Sequence, residues 1–547
     1  MLSHTRTLFL LTALAALLLG PSAQAQSFRV QCPSSTALHP LVDPATGVAS
    51  TSDPSKNTAP NPHIKCQQIS GGDGFATMAD GTQTYMFSFG PLSGLGNIVK
   101  GLPGTVTAQE FLQNNLDATG AVLDAVKIGA PDGPSYAFNG AVGLVPDVEA
   151  LNGSTASGGA LPPAPVGMDP AQWALQQALL SGHVDPRLIM DVGVLNGNIP
   201  APMIAIDEGD ELFLTLTNVG MVMRPDLFEQ HTVHFHGYPN ASAFYDGVPD
   251  ASVAINIGGS FTYYYLAPEA GTYMWHCHIS PPEHLQMGMV GQLYVRPRQN
   301  AVGNNASLRA QLLTDQADPL KKCGPNDTLC SVQVPPANSA VRQANKMYAY
   351  DDGDGSTAYD VEYPIQMHGF DPNFHFVGMT FNPESFIDNK DKYFLLNGRS
   401  YPDTVNPAPL STQSSDGIWR YSQPLASVIN IPAGGKALLR FSDLNVTEFH
   451  TLASLGIPMH VVGLNARLLR DQDGNNMAYD TNSITLGGGE TIDVILDASN
   501  YTAGQKFYLY TPQLDHLSND AENFGGMMTE VNICKSVNPA SKVCSNS

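Results

Sequence analysis

Two short histidine groups constrain this chain more than any other feature of it. Six of its fifteen histidines fall between residues 231 and 284, as His231-Thr-Val-His234-Phe-His236-Gly237 and as Trp275-His276-Cys277-His278 followed by His284 and Met289. Along an extended strand, residues two apart share a face and residues an odd number apart point to opposite faces. His234 and His236 therefore share a face, with His231 on the other if that segment is extended, and His276 and His278 share a face while Cys277 points away. The spacing predicts two ligand sets. One gathers Cys277 with His231 and, from the loop beyond the strand, His284 and Met289; the other gathers His234, His236, His276 and His278.

The first set has the chemistry of a blue-copper centre, with two imidazoles and a thiolate in a trigonal plane and a weak thioether along the axis. Zinc could use the same Cys and His, but the axial Met argues for copper. Four imidazoles without sulfur suit one or more further copper ions. A single His-x-His pair is often no more than a solvated strand face. Two pairs, with a Cys inside one and a Met downstream, carry the copper reading, and Met287 reads as a packing residue.

Around these groups the pattern is that of β structure. Glu211-Leu-Phe-Leu-Thr-Leu-Thr217 alternates as a half-buried strand does, and Phe261 to Leu266 and Gly271 to His278 are aromatic-rich runs bounded by Gly and Pro. Phe75 to Phe89 reads as a hairpin turning at Asp80-Gly81. Residues 346–533 form a second β-rich region broken by turn signals at Asn397-Gly398, Gly434-Gly435 and Gly487-Gly488-Gly489. The fold class is all-β, a sandwich or barrel in each region. The predicted organisation is an arm over 26–69, a first domain over 70–298, a connector over 299–345, a second domain over 346–533 and a tail over 534–547. The first domain carries an insertion, about 95–185, with helix starts at Thr107-x-x-Glu110 and Asp169-Pro170.

Arg6, the apolar run Leu8 to Leu19 and Ala23-Gln24-Ala25 read as a signal peptide over residues 1–25, with Gln26 opening the mature chain. That run is too short to span a bilayer, and no later run is long enough. An exported protein, periplasmic or extracellular, is expected. Asp+Glu 49 against Lys+Arg 26 gives a net charge of −23, which speaks against a nucleic-acid partner. Of seven Cys, Cys32 with Cys66, Cys323 with Cys330, and Cys534 with Cys544 are close enough in sequence to be bridged, leaving Cys277 free to be a ligand.

At these residues the chain resembles the multicopper oxidase family. The resemblance implies that His231, Cys277, His284 and Met289 hold a type 1 copper, and that His234, His236, His276 and His278 serve a type 2/type 3 cluster. The gap from Cys277 to His284 is slightly longer than the family's, so a reshaped ligand loop is expected, with His284 as the entry point for electrons. The family's fold implies two cupredoxin-like Greek-key domains. The second is similar at Phe394-Leu-Leu-Asn-Gly398 and Gly525-Gly526-Met527-Met528, but its ligand motifs are degraded. Ile457-Pro-Met-His460-Val-Val-Gly463 keeps one His, and Tyr510-Thr-Pro512 stands where a second His-Cys-His would be. The remaining second-domain histidines, His368, His375, His450 and His516, show no paired spacing and read as satisfied or surface residues.

Half a cluster in one domain also resembles the copper nitrite reductases, two-domain trimers in which a neighbour gives one His. His236 and His276 match that family's first-domain ligands and His460 could be the trans ligand, although its catalytic Asp falls at His234. The function implied is one-electron oxidation of a small-molecule or metal-ion reductant, with dioxygen reduced at the interior site. The alternatives are a blue-copper electron-transfer or copper-binding protein, and a nitrite reductase-like homotrimer.

Overall fold

The computed structural model describes residues 31–98, 100–115, 137–138, 197–221, 224, 227, 229–237, 242–257, 259–267, 269–317, 332–337, 340–378, 386–413, 419–538 and 540–545. The signal peptide, the Asp169-Pro170 helix start and the Cys323–Cys330 pair lie outside them.

The first sandwich is built from β1 (Ile64–Thr77), β2 (Gln83–Pro91), β3 (Ile204–Asp207), β4 (Glu211–Gly220), β5 (His234–Phe235), β6 (Ser260–Leu266), β7 (Gly271–His276) and β8 (Val290–Arg296). One sheet runs β2-β1-β4-β6 and the other β3-β8-β7-β5. The alternation read in β4 is the cause of its placement. Leu212, Leu214 and Leu216 enter the core between the sheets, while Thr215 and Thr217 pair their hydroxyls with Thr262 and Ser260 on β6. Each such fully buried Leu contributes about 1.5–3 kcal/mol relative to exposure. The hairpin turns at Asp80-Gly81, with Gly81 at φ 85°.

β1 begins at Ile64, inside the stretch read as an arm, so the arm stops at residue 63. Ile64 to Ile69 pair in parallel with Glu211 to Leu216, and polar residues there hid the strand. Buried Gln68 offers its side-chain amide to Thr217. The Cys32–Cys66 disulfide ties the arm to this strand, and Cys534–Cys544 closes the other end of the chain. Of the predicted insertion, the described helices are a single turn at Leu95–Ile98 and α1 (Ala108–Asn115). Thr107 Oγ1 accepts from the Glu110 N–H and the Glu110 carboxylate from the Thr107 N–H, the reciprocal cap its sequence predicts.

The second sandwich repeats this connectivity with β9 (Val361–Phe370), β10 (Tyr393–Leu396), β11 (Ile429–Pro432), β12 (Lys436–Asp443), β13 (His450–Leu455), β14 (Met459–Leu464), β15 (Ser483–Leu486), β16 (Thr491–Asp497), β17 (Lys506–Tyr510) and β18 (Met528–Cys534). One sheet runs β10-β9-β12-β16-β14 and extends further; the other runs β11-β18-β17-β13-β15. β9 lies parallel to β12 as β1 does to β4, and β11 parallel to β18 as β3 does to β8. The sandwiches meet through buried polar contacts. Gln292 donates to the Arg440 carbonyl at 2.9 Å, Thr272 to Asp493 at 2.6 Å, and Glu362 binds both Arg296 and Arg440. No helix among the described residues is long and apolar enough to cross a membrane.

Candidate metal centre

The sheet β3-β8-β7-β5 carries both predicted ligand sets at one end. β5 pairs with β7 so that His234 stands opposite His276. β7 ends at His276, and the chain turns through Cys277 and His278 into a short helix, α2 (Pro281–Gln286), which carries His284. The extra residues between Cys277 and His284 thus form a helical turn where a loop was predicted. It returns to β8 by the Met289 N–H bonding the His284 carbonyl and the Cys277 N–H bonding the Met289 carbonyl, at 2.8 and 3.0 Å.

His231, Cys277 and His284 come together with one ligand atom of each within 4.8 Å of the others, and all three are fully buried. His284 Nδ1 lies 3.3 Å from Cys277 Sγ, which also accepts the Thr232 N–H at 3.4 Å. Neither ring nitrogen of His231 has a hydrogen-bond partner. Such a buried imidazole is costly unless a metal takes its lone pair. Burial, and then the neighbouring His284, hold His231 well below its usual range. Burial alone would raise the Cys277 thiol; His284 beside it outweighs this and lowers it. Burial alone would lower His284; Cys277 and Glu229 outweigh it and raise it to about 9, so a soft transition-metal ion taken up here would displace that proton to meet a thiolate and two imidazoles. Met289 is also fully buried, in the same core cluster as Cys277. Gly71 makes room for this site, since a Cβ there would stand 2.6 Å from His231 Cδ2.

The second set is more open. One nitrogen each of His234, His236 and His276 falls within 4.8 Å of the others. The His234 Nδ1 faces the Asp246 carbonyl at 2.7 Å and the His276 Nδ1 the Cys277 carbonyl at 2.7 Å, which leaves Nε2 of each ring for a ligand. His236 and His276 aim Nε2 at each other across 2.9 Å. The His278 ring stands 5.1 Å from that of His234 and 5.6 Å from that of His276, beside this trio. Burial, chiefly, drives His276 down to about 3, so it is neutral at ordinary pH. The open side of the set is a cleft walled by Met274 and by Gly488, Gly489 and Glu490 of the second sandwich.

The multicopper oxidase family profile matches residues 183–300, the segment that holds every one of these ligands except His460. Over that segment the chain is similar to the multicopper oxidase family. Multicopper oxidase MCE of Talaromyces pinophilus is 35% identical over 112 residues, 20% of this chain and 17% of that protein. Copper resistance protein A of Pseudomonas syringae pv. tomato is 31% identical over 128 residues, 23% of this chain and 19% of that protein. The matched segment thus spans less than a fifth of those relatives. Among solved structures, the blue copper oxidase from Nitrosomonas europaea aligns with a TM-score of 0.41 at 22% identity, over 62% of this chain and 78% of that one.

Within the multicopper oxidase segment, sequence reasoning missed three supports. Glu229 Oε2 stands 3.7 Å from His284 Nε2, Thr232 Oγ1 accepts the His278 N–H at 2.9 Å, and the Tyr263 hydroxyl accepts the Val233 N–H at 3.0 Å. His284 itself is fully buried, beneath a turn whose Pro282 and Glu283 are exposed, and Glu229 stands between its ring and solvent.

The degraded motif of the second sandwich also needs correcting. β17 takes the place of β7, and the strand hydrogen-bonded to it is β13, whereas β14 sits in the opposite sheet. The counterpart of His231–Gly237 is therefore His450–Gly456, with Ala453 and Leu455 where His234 and His236 stand, and not Ile457–Gly463. His460 lies on β14, bonded at 2.8 Å to exposed Asp480 and outside both ligand clusters. Of the other histidines, His375 is buried with its ring nitrogens facing the carbonyls of Tyr85 and Gln286, to one of which its single N–H donates. His450 and His516 are buried with their rings 5.9 Å apart, a pairing that their sequence spacing concealed.

Proposed function

We propose that the chain is an exported copper-dependent oxidoreductase that takes electrons singly from a small-molecule or metal-ion reductant and delivers them to dioxygen. The observation that carries this reading is the position of Cys277. Its sulfur belongs to one buried donor set, while its peptide neighbour His276 belongs to the other, so a few covalent bonds join the two. Copper held by these residues supplies one-electron chemistry at the first set and the dioxygen-reducing site at the second.

The protein's own part is to fix the donors. His231, Cys277, His284 and Met289 would hold the one-electron copper in this reading, and their dry, packed enclosure would keep the donors in place between oxidation states. His234, His236, His276 and His278 are the interior ligands, two of them held in one tautomer by backbone carbonyls. Glu229 and Glu283 beside His284, on a chain of net charge −23, favour cationic donors. Export rests on the Leu8 to Leu19 run and is tested by the mature N-terminus, expected at Gln26. Three converging imidazoles need further ligands from a partner surface, for which a homotrimer is the proposed arrangement, tested by the mass of the active species in solution. The domain division proposed is 64–298 and 346–533.

One observation favours a second reading, blue-copper electron transfer without dioxygen reduction. Among the described residues, the second sandwich lends the cleft beside His236 glycines, Glu490 and other residues but no histidine. Copper content and oxygen uptake with a reducing substrate separate the two. Several coppers per chain with oxygen consumption support the oxidase; one copper, a blue colour and no uptake support the carrier.

A further inference from the structure

The chain holds its type 1 ligand frame twice, and the second copy lacks only the sulfur anion. In the first sandwich His234 pairs with His276; in the second Ala453 pairs with Tyr510. Counting from these pairs, His450 falls where His231 does, Thr511 where Cys277 does, and Gly456 where Gly237 does. The backbone agrees bond for bond. The Thr511 N–H donates to the Met527 carbonyl at 3.0 Å, as Cys277 does to Met289, and the Met527 N–H donates to the His516 carbonyl at 3.0 Å, as Met289 does to His284. His516 and Met527 therefore occupy the positions of His284 and Met289.

The surroundings repeat as well. Glu448, two residues before His450, places Oε2 3.0 Å from His516 Nε2; Glu229, two residues before His231, stands 3.7 Å from His284 Nε2. The ring centroids of His450 and His516 are 5.9 Å apart at 85°, against 5.4 Å and 62° for His231 and His284. Phe394 stacks on His516, while Phe87, at the equivalent place on β2, meets His284 edge-on. His450, Thr511, His516 and Met527 are all at most 2% exposed. The Nδ1 atoms of both histidines lack a hydrogen-bond partner, although Asp443 Oδ1 approaches that of His450 to 3.4 Å.

We propose that His450, His516 and Met527 form a second metal site, a two-imidazole and thioether set for Cu(I), with Thr511 standing where the type 1 thiolate would be. Two imidazoles and a soft thioether suit the cuprous ion. Without a thiolate the site has no intense charge-transfer colour, so Cu(I) stored or passed there is spectroscopically silent. The inference rests on the second sandwich alone and stands or falls separately from the oxidase reading.

The test is an anaerobic Cu(I) titration of the full chain against a chromophoric Cu(I) chelator. The Cys277→Ser protein is expected to bind one more Cu(I) per chain than Cys277→Ser carrying His516→Gln and Met527→Leu, and the blue absorption of His516→Gln Met527→Leu alone should match wild type. Equal Cu(I) uptake by the two Cys277→Ser proteins overturns the site, as does Zn(II) displacing Cu(I) from it at equal concentration. Thr511→Cys in the Cys277→Ser background keeps every other donor and guards against a folding failure of the double variant. It should turn blue on adding Cu(II), and a folded, colourless Thr511→Cys protein also overturns the proposal.

Discussion

The Nε2 atoms of His236 and His276 stand 2.9 Å apart. Since the His276 Nδ1 faces the Cys277 carbonyl, its Nε2 carries a lone pair, and His236 answers it with a proton or shares a metal with it. Replacing His236 by Ala removes a donor at this point without touching the Cys277 set. Metal analysis of His236→Ala should find at least one copper fewer per chain, with the blue absorption kept. Oxygen uptake should fall about a hundredfold or more, as loss of a direct ligand exceeds the effect of losing a supporting group. Unchanged copper content with unchanged uptake would remove His236 from the site.

Gly71 and His231 give a stability prediction. The Cβ of Gly71→Ala would stand 2.6 Å from the His231 ring, so either the ring or strand β1 must shift. Overpacking of this kind costs about 1–3 kcal/mol. The variant should melt at lower temperature than wild type, and its blue absorption should weaken or shift because the displaced ring is a ligand. A melt and spectrum identical to wild type would show that the ring is not confined there.

The Glu362 carboxylate links the sandwiches through Arg296 and Arg440. Burial alone would raise it; the two guanidiniums outweigh burial and hold it at about 2, below its ordinary 4.5. A carboxylate depressed in the folded state adds stability that is fully present above about pH 4.5 and is lost as pH falls toward about 2. Glu362→Gln should flatten that part of the stability profile. At neutral pH it should cost on the order of 3 kcal/mol, because the buried Arg440 and the half-buried Arg296 lose the carboxylate they share. Denaturant unfolding across this pH range measures both, and parallel profiles for the two proteins would contradict the linkage.

The first ligand set was legible because its donors crowd into two short motifs whose strand parity survives folding. His231, Cys277 and His284 meet as the spacing predicts, even though His284 arrives on a helix. Parity was less informative once β7 ended at His276, which leaves His278 beside the trio and not within it. The second copy was hidden for a different reason. With Ala453, Leu455 and Thr511 in place of ligands, no local pattern marks His450, and Ile457–Gly463 offers a competing His at a plausible offset. Only the pairing of β13 with β17 decides between them. Strand β1 was obscured by buried polar residues, Gln67, Gln68 and Ser70, and the partners of the two glutamines, Thr105 and Thr217, lie far along the chain.

The most direct test of the central claim is the paired measurement of copper content and visible absorption for wild type and Cys277→Ser. If Cys277 is the thiolate joining the two donor sets, wild type is intensely blue. The variant should lose that absorption and electron transfer from the reductant, while the His234, His236 and His276 set still takes up copper. A Cys277→Ser protein with the colour, copper content and oxygen uptake of wild type would contradict the account.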